Sequence, residues 1–187
     1  MKRNVKQASV ALSVVVAIRD AEETIGRDVR RIADHLREAG VSFEVLAVDD
    51  GCRDNSLAVL HLVSAQVPEL RVCAGNAAGR AFIRGTAEAR GDLVALLDSG
   101  KGGLPLAALG WALARLGRGT DAIVFRGRCI VGRRLSCLAA LVRSSGRGDL
   151  FHTSFERNAR GLQVEVVGTR PRRPGGLLAP VLRFLAA

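Results

Sequence analysis

Runs of apolar, largely β-branched residues alternate along the chain with segments whose apolar residues recur at helical spacing. The first run, Leu12–Ile18, is continuous, which predicts a strand buried on both faces. After it, apolar residues between Ile25 and Leu36 recur every three or four positions, which predicts a helix ending near Gly40. The same alternation predicts strands at 43–48, 70–74, 93–97 and 122–125 and helices at 54–63, 80–89 and 105–116, the first of these capped by Asp54.

This alternation with short connections indicates an α/β fold: a mostly parallel, Rossmann-like sheet with helices on both faces. In such sheets ligands bind at the carboxyl ends of the strands. Asp20, Asp49, Asp50 and Asp98 follow predicted strands, so we expect their carboxylates along one edge. Beyond Arg126 the pattern weakens, and it predicts helices at 134–142, 153–160 and 177–187, a strand at 163–167 and an irregular loop at 170–176.

Composition places the chain among globular proteins. It has 187 residues, 48% of them hydrophobic, and could bury a single core without a disulfide or metal. The longest apolar run, Val10–Ile18, is about half a membrane span, so we expect no transmembrane helix and a soluble, cytoplasmic protein. The four cysteines form no CxxC pair, which predicts reduced, mostly buried thiols.

Charge is distributed unevenly between the two halves. Residues 1–98 carry 13 basic and 14 acidic side chains (13 − 14 = −1), whereas residues 99–187 carry 15 and 4 (15 − 4 = +11). A basic half can attract nucleic acid, an anionic membrane surface or a phosphorylated substrate. Because 25 of the 28 basic residues are Arg, high-GC coding is an alternative explanation. The chain has no Tyr and few aromatic residues, so we do not expect nucleic acid as the partner.

The common catalytic and nucleotide-binding signatures are missing. No GxGxxG follows a strand, and residues 75–80 lack the spacing and the Lys of a P-loop. No nucleophile elbow is present, and the three histidines lie in or beside predicted helices without a partner. Chemistry at the edge of aspartates therefore has to come from the carboxylates themselves, which can hold a divalent cation or accept hydrogen bonds from a base or ribose.

Five short segments follow one another in a recognisable order. They are Ser13–Val16, Val48–Asp54, Asn76–Ala81, Ala89–Asp92 and Leu97–Asp98. In this order they resemble family 2 glycosyltransferases, most closely the dolichol-phosphate mannosyl- and glucosyltransferase branch. The resemblance covers about residues 11–125 and resumes at 155–167. It implies a GT-A fold that holds a nucleotide sugar along the carboxyl edge of the sheet and transfers the sugar to an acceptor with inversion.

The resemblance also implies the domain organisation and the site residues. Residues 1–187 would form one domain, with a nucleotide-sugar-binding core at 11–125 and a shortened acceptor-side region with a basic tail at 126–187. Asp50 would accept a hydrogen bond from the base of a UDP- or GDP-linked donor, with a turn or capping role as the alternative. Asp98 would be the first residue of the metal-binding DxD, catalytic and in contact with Mg²⁺ or Mn²⁺. The other substrate-binding residues implied by position are Ala17, Ile18, Arg19, Gly79, Arg80, Ser99 and Lys101.

The sequence departs from the family at several of these positions. The DxD reads Asp98-Ser99-Gly100, so its second carboxylate is missing. Lys101 could supply positive charge to a leaving diphosphate without a metal, or it could be an ordinary solvated lysine. After the first strand, Ala17 and Arg19-Asp20-Ala21 replace the family's Pro and Tyr-Asn-Glu. These departures leave open an alternative, a catalytically degenerate glycosyltransferase-like binding or scaffold protein.

No general base can be named from the acceptor half. A polyprenyl phosphate acceptor is already ionised and needs none, so it is the acceptor that the resemblance favours. The Arg172–Arg173 loop could contact such a phosphate, and residues 177–185 could lie on an anionic membrane surface. The corresponding expectation is a cytoplasmic protein, peripheral at the inner face of the membrane.

Overall fold

The computed structural model describes residues 10–74, 80–99, 106–116, 119–144 and 151–167. The strands are β1 Leu12–Ile18, β2 Phe43–Asp49, β3 Leu70–Cys73, β4 Leu93–Asp98, β5 Ala122–Phe125, β6 Cys129–Arg133 and β7 Val164–Val167. The helices are α1 Ile25–Glu38, α2 Ser56–Ser64, α3 Ala81–Glu88, α4 Leu106–Leu116, α5 Arg134–Arg143 and α6 Phe151–Asn158. The predicted loop at 170–176 and the predicted helix at 177–187 lie outside the described residues.

The seven strands form one sheet in the order β3-β2-β1-β4-β6-β5-β7. β1 pairs in parallel with β2 and β4, and β5 pairs in parallel with β7. β6 runs antiparallel to both β4 and β5, so it separates two strands that point in the same direction. The mostly parallel α/β sheet is thereby confirmed, but the sequence pattern did not predict β6.

The continuous apolar runs are explained by helices on both faces of the sheet. In β1, Val14 and Val16 pack into a core with α1, α2 and α4, whereas Val15 and Ala17 pack into a second core with α3, α5 and α6. All seven residues of β1 are buried, and so are all seven of β2. The two cores account for the lack of polar alternation in these strands.

Two glycines let α3 and the loop after it approach β1 closely. A Cβ built at Gly85 of α3 would lie 2.3 Å from Val15 Cγ1. A Cβ at Gly91 would lie 2.8 Å from the backbone nitrogen of Ser13. Both positions therefore require glycine for close approach rather than for an unusual backbone angle.

A buried carboxylate fastens this loop to the amino edge of the sheet. Glu44 is 4% exposed, and its Oε1 accepts hydrogen bonds from Ser13 Oγ at 2.8 Å and from the backbone N–H of Arg90 at 2.7 Å. Its Oε2 pairs with Arg71 Nη1 at 2.7 Å, and Gly91 N–H donates to Ser13 Oγ at 2.9 Å. The Glu44 network thus connects β1, β2 and β3 with the start of β4.

The structure also bears on the N-cap of α2, the state of the cysteines and the length of the helices. α2 begins at Ser56 with Asn55 at its N-cap, so the prediction that Asp54 is the N-cap is wrong by one residue; Asp54 Oδ1 instead accepts from the Ser56 N–H at 3.0 Å. All four cysteines are free, and three of them are buried, as predicted. Within the described ranges, no helix has the length and apolar character needed to cross a bilayer.

Candidate functional site

The carboxyl ends of β2 and β4 lie on either side of the end of β1. The strand register pairs Ile18 with Asp49 and Ala17 with Asp98. Past the strand ends, Asp50 N–H donates to Ile18 O at 2.9 Å and Ser99 N–H donates to Ala17 O at 3.1 Å. Since neighbouring strands are about 4.8 Å apart, the backbones of β2 and β4 are about 10 Å apart at this edge. The structure therefore places Asp50 and Asp98 at one edge.

The two adjacent aspartates after β2 have different surroundings. Asp49 is 6% exposed, and its Oδ1 accepts from the N–H groups of Gly51 and Cys52, both at 2.9 Å. Burial acts to raise the pKa of Asp49, but these N–H bonds outweigh it and hold the pKa below its usual range. Gly51 follows with a φ of 97°, which continues the turn. Asp49 is thus a turn carboxylate, and half-buried Asp50 is the member of the pair at the rim of the edge.

The loop after β1 is tied to the segment that precedes α2. Asp20 has a φ of 48°, in the left-handed region, and its Oδ1 accepts from the Arg53 N–H at 2.7 Å. Glu22 N–H donates to Asp54 Oδ2 at 2.9 Å, and Asn55 N–H donates to Glu22 Oε2 at 2.8 Å. Asp20, predicted among the edge carboxylates, lies there and also holds the two loops together.

A cavity of about 390 Å³ lies between this loop and the end of β4. Its lining residues are Asp20, Ala21, Glu22, Glu23, Thr24, Asp54 and Ser99. Ser99 Oγ is shielded from solvent and has no hydrogen-bond partner among the described residues. Asp98 beside it is half-buried.

The oxygen atoms of Asp98 and Ser99 are the donors to consider for a divalent cation. In the part of the chain that the structure describes, no three His, Cys, Asp or Glu side chains come together as a metal-binding group. Mg²⁺ in phosphate-transfer sites takes one or two carboxylates and completes its shell with waters and substrate phosphates. Successive side chains of a strand point to opposite faces, and the cavity is lined by Ser99 but not by Asp98. The single carboxylate of Asp98 therefore fits such a cation only where the substrate supplies most of the ligands.

The β5–β6 hairpin brings two arginines to the same edge. Because β5 runs parallel to β4, its end at Phe125 and the turn at 126–128 lie at the carboxyl edge. The register pairs Leu97 with Cys129, and exposed Arg128 directly precedes Cys129 in the turn, so Arg128 lies near the end of β4. Arg126 makes a two-pronged ion pair with Glu156, at 3.0 and 2.8 Å. Sequence reasoning missed Arg128, although the Arg-Gly-Arg turn directly after a predicted strand was a signal for it.

Residues 13–99 match the family model described as Glycosyl transferase family 2. These residues include β1, β2 and β4 and both aspartates at the edge. The seven-stranded sheet also matches solved glycosyltransferase structures over nearly the whole chain. The fold is that of the GT-A glycosyltransferases. Among curated protein sequences, none matches this chain significantly.

Three solved structures illustrate the likeness. Glucosyl-3-phosphoglycerate synthase of M. tuberculosis is 16% identical, with a TM-score of 0.59 over 94% of this chain and 78% of its own. Mannosyl-3-phosphoglycerate synthase from Rubrobacter xylanophilus is 16% identical, with a TM-score of 0.63 over 95% and 73%. S. aureus TarS 1-349, in complex with UDP-GlcNAc, is 17% identical, with a TM-score of 0.63 over 94% and 65%. At these identities the likeness shows the fold.

Four more of the residues implied by the GT-A resemblance lie within the described part of the chain, at or beside this edge. Ala17 and Ile18 are 8% and 0% exposed, so these two present backbone rather than side chain to the edge. Arg19 is exposed in the loop after β1, and Arg80 is exposed at the N-cap of α3. Gly79 and Lys101 lie outside the described residues.

Proposed function

We propose that this chain is an inverting glycosyltransferase that moves a sugar from a nucleotide diphosphate to an acceptor. One observation carries the proposal: β2 and β4 end on either side of β1, so that Asp50 and Asp98 share an edge within the segment that matches the family model. Neighbouring folds support a nucleotide sugar as the donor, since M. tuberculosis glucosyl-3-phosphoglycerate synthase was crystallised with Mn²⁺ and UDP-glucose.

The nucleotide would lie along the ends of β1 and β2. Asp50, half-buried at the rim, accepts a hydrogen bond from an N–H of the base, since an ionised carboxylate is an acceptor. Arg19 and Arg80 are exposed on either side of this rim and approach the ribose or the phosphates. Ala17 and Ile18 line the floor with backbone atoms, because their side chains are in the core.

The diphosphate would lie beside the end of β4. Asp98 would hold Mg²⁺ or Mn²⁺, which neutralises charge on the leaving diphosphate when bound. Glycine at position 100 offers no second carboxylate. Exposed Arg128, near the end of β4, provides a guanidinium that matches phosphate oxygens in pairs, and Lys101 is a second cation for the same role.

An ionised phosphate is the acceptor that suits this site. In inverting transfer an acceptor oxygen attacks the anomeric carbon, and the bond from that carbon to the diphosphate oxygen breaks with its electron pair leaving on the diphosphate. A phosphate oxygen carries no proton at neutral pH, so the step needs no general base. A polyprenyl phosphate at the inner face of a membrane meets this requirement and also suits the basic second half.

Titration calorimetry with UDP and GDP, with and without Mn²⁺, tests the donor site. We expect Asp50→Ala to weaken nucleotide binding about tenfold or more, because the base loses a charged acceptor. We expect Asp98→Ala to remove Mn²⁺-dependent turnover of the sugar donor. Asp92→Ala is the matched control, since Asp92 is exposed at the opposite edge. Asp98→Ala turning over donor as fast as the unsubstituted chain would show that the assigned site is wrong.

A glycosyltransferase-like binding or scaffold protein is the second candidate. The glycine in place of the second DxD carboxylate favours it, since a weaker metal site lowers transition-state stabilisation before it abolishes binding. Nucleotide binding without turnover of any sugar donor would select this candidate, and turnover would exclude it.

A further inference from the structure

Helix α5 carries apolar side chains on two opposite sides. Cys137, Ala140 and Leu141 face the core. On the other side, Leu135 is 69% exposed and Val142 is 64% exposed. These two residues are seven apart, and exposed Ala139 lies between them, so they form one stripe along the helix. We call Leu135, Ala139 and Val142 the α5 stripe.

A surface helix normally turns its apolar side to the core and its polar side to water, so large apolar side chains on the outer side of α5 need an explanation. Four large hydrophobic side chains are exposed in the described part of the chain, and the α5 stripe holds two of them. A third, Leu62, is 74% exposed on α2, which packs on the opposite face of the sheet. Leu62 has exposed Ala58 and Ala65 about one turn away on either side, but it is the single large exposed hydrophobic side chain of α2, and α2 contains no arginine.

Positive charge surrounds the α5 stripe. Arg133 and Arg134 precede it, and Arg143 ends the helix. Helix α6 packs against α5 and adds exposed Arg157, with exposed Arg160 just beyond it. Residues 129–144 and 151–161 together hold five arginines and one acidic residue, Glu156, a balance of 5 − 1 = +4. Glu156 is itself paired with Arg126 and does not offset these arginines, whereas Asp121 lies 4.0 Å from Arg133 and offsets part of its charge.

We propose that the α5 stripe and its arginines dock this chain on an anionic lipid surface. Leu135 and Val142 enter the boundary between headgroups and acyl chains, while the flanking guanidinium groups contact anionic headgroups. This arrangement has the features of an interfacial amphipathic helix, with an apolar side toward the lipid and cations beside it. Pairing with a second copy is less favourable, because it would bring two surfaces of like charge together. The docking surface does not depend on the donor site or on sugar transfer.

Co-sedimentation with vesicles tests the proposal on the full chain. We expect binding to phosphatidylglycerol vesicles, weak binding to phosphatidylcholine vesicles, and a loss of binding as salt rises. Leu135→Ser with Val142→Ser should lower the partition coefficient about tenfold or more, because two apolar side chains no longer enter the lipid. Leu62→Ser is the matched control, since it removes an equally exposed leucine from the other face and should leave binding unchanged.

Two double arginine substitutions test the contribution of positive charge to vesicle binding. Arg157→Gln with Arg160→Gln should weaken binding to phosphatidylglycerol vesicles and reduce its salt dependence. Arg27→Gln with Arg31→Gln, two exposed arginines of α1, removes the same charge from the opposite face and should have a smaller effect. Circular dichroism checks that each variant is folded. Equal binding by the stripe variant and the Leu62 variant overturns the proposal, as does a concentration-dependent dimer that the stripe substitutions abolish.

Discussion

Replacing Glu44 with alanine removes the buried carboxylate that joins β1, β2 and β3 to the loop before β4. Glu44 accepts from Ser13 and Arg90 through one oxygen and pairs with Arg71 through the other. Glu44→Ala leaves the Ser13 hydroxyl and the Arg90 N–H without that acceptor inside the protein. The loop that these donors anchor leads directly into β4, whose far end is Asp98. The perturbation thus acts at the amino edge of a strand that carries a candidate site residue at its carboxyl edge.

The loss of unfolding free energy expected for Glu44→Ala can be estimated from the three contacts of the carboxylate. A hydrogen bond to a charged acceptor contributes about 1.5–3 kcal/mol; the bond from Ser13 is buried, and the bond from the Arg90 N–H is partly buried. The side chain of Arg71 is 33% exposed and keeps access to water, so its ion pair adds only about 0–1 kcal/mol. Water entering beside Arg71 offsets part of the loss. We therefore expect Glu44→Ala to lower the free energy of unfolding by about 2–4 kcal/mol, most of it from the buried bond to Ser13.

Urea denaturation followed by circular dichroism measures this change. The midpoint temperature of thermal unfolding should fall by about 2–4 °C for each kcal/mol in a chain of this size. Glu38→Ala, at the exposed end of α1, is the control for loss of a carboxylate, and we expect a change within about 0.5 kcal/mol. The reasoning is refuted if Glu44→Ala costs no more than Glu38→Ala.

Two further predictions concern the same region. Burial acts to raise the pKa of Glu44, but hydrogen bonds from Arg90, Arg71 and Ser13 outweigh burial and lower the pKa in the folded state. The ionised Glu44 carboxylate therefore contributes its full stabilisation above the ordinary pKa of 4.5. This stabilisation is lost as the pH falls through the lower pKa of the folded state. Urea midpoints measured between about pH 5 and pH 3 should therefore decline more steeply for the unsubstituted chain than for Glu44→Gln, and parallel slopes would contradict this. Gly91→Ala should destabilise the fold by about 1–3 kcal/mol in thermal unfolding, because its Cβ would meet the Ser13 backbone nitrogen at 2.8 Å, and an unchanged midpoint would show that the loop can move aside.

Four of the first five strands, β1, β2, β4 and β5, were predictable because their sequences are consistent with burial on two sides. β1 is an uninterrupted apolar run of β-branched residues, and a strand covered by helices on both faces requires that composition. β6 lacked such a signal, because its five residues end in Gly132 and Arg133. Gly132 is required by packing, since a Cβ there would lie 2.7 Å from both Asp121 O and Cys137 Sγ. Contacts of that kind depend on the sheet order, which the local sequence does not contain.

The same limit applies to the candidate site. The rule that ligands gather at strand ends brings Asp49, Asp50 and Asp98 to one edge from the sequence alone. This rule cannot say which of Asp49 and Asp50 is the turn carboxylate. Asp49 Oδ1 is occupied by the N–H groups of Gly51 and Cys52, and these bonds exist only after the turn has formed. The rule also cannot place Arg128, because the position of this residue near the end of β4 depends on β6 lying between β4 and β5.

The position of β6 in the sheet brings part of the basic second half of the chain next to the acidic strand ends of the first half. The acidic strand ends belong to the first half of the sequence, and the turn at 126–128 belongs to the basic second half. Because β6 reverses direction between two parallel strands, that turn meets the acidic ends at one edge. A diphosphate there needs positive charge from a metal ion, from side chains, or from both. Under the proposed function, Asp98 would be the single carboxylate ligand of a cation at this edge, since residue 100 is glycine, and Arg128 in the nearby turn would supply further positive charge.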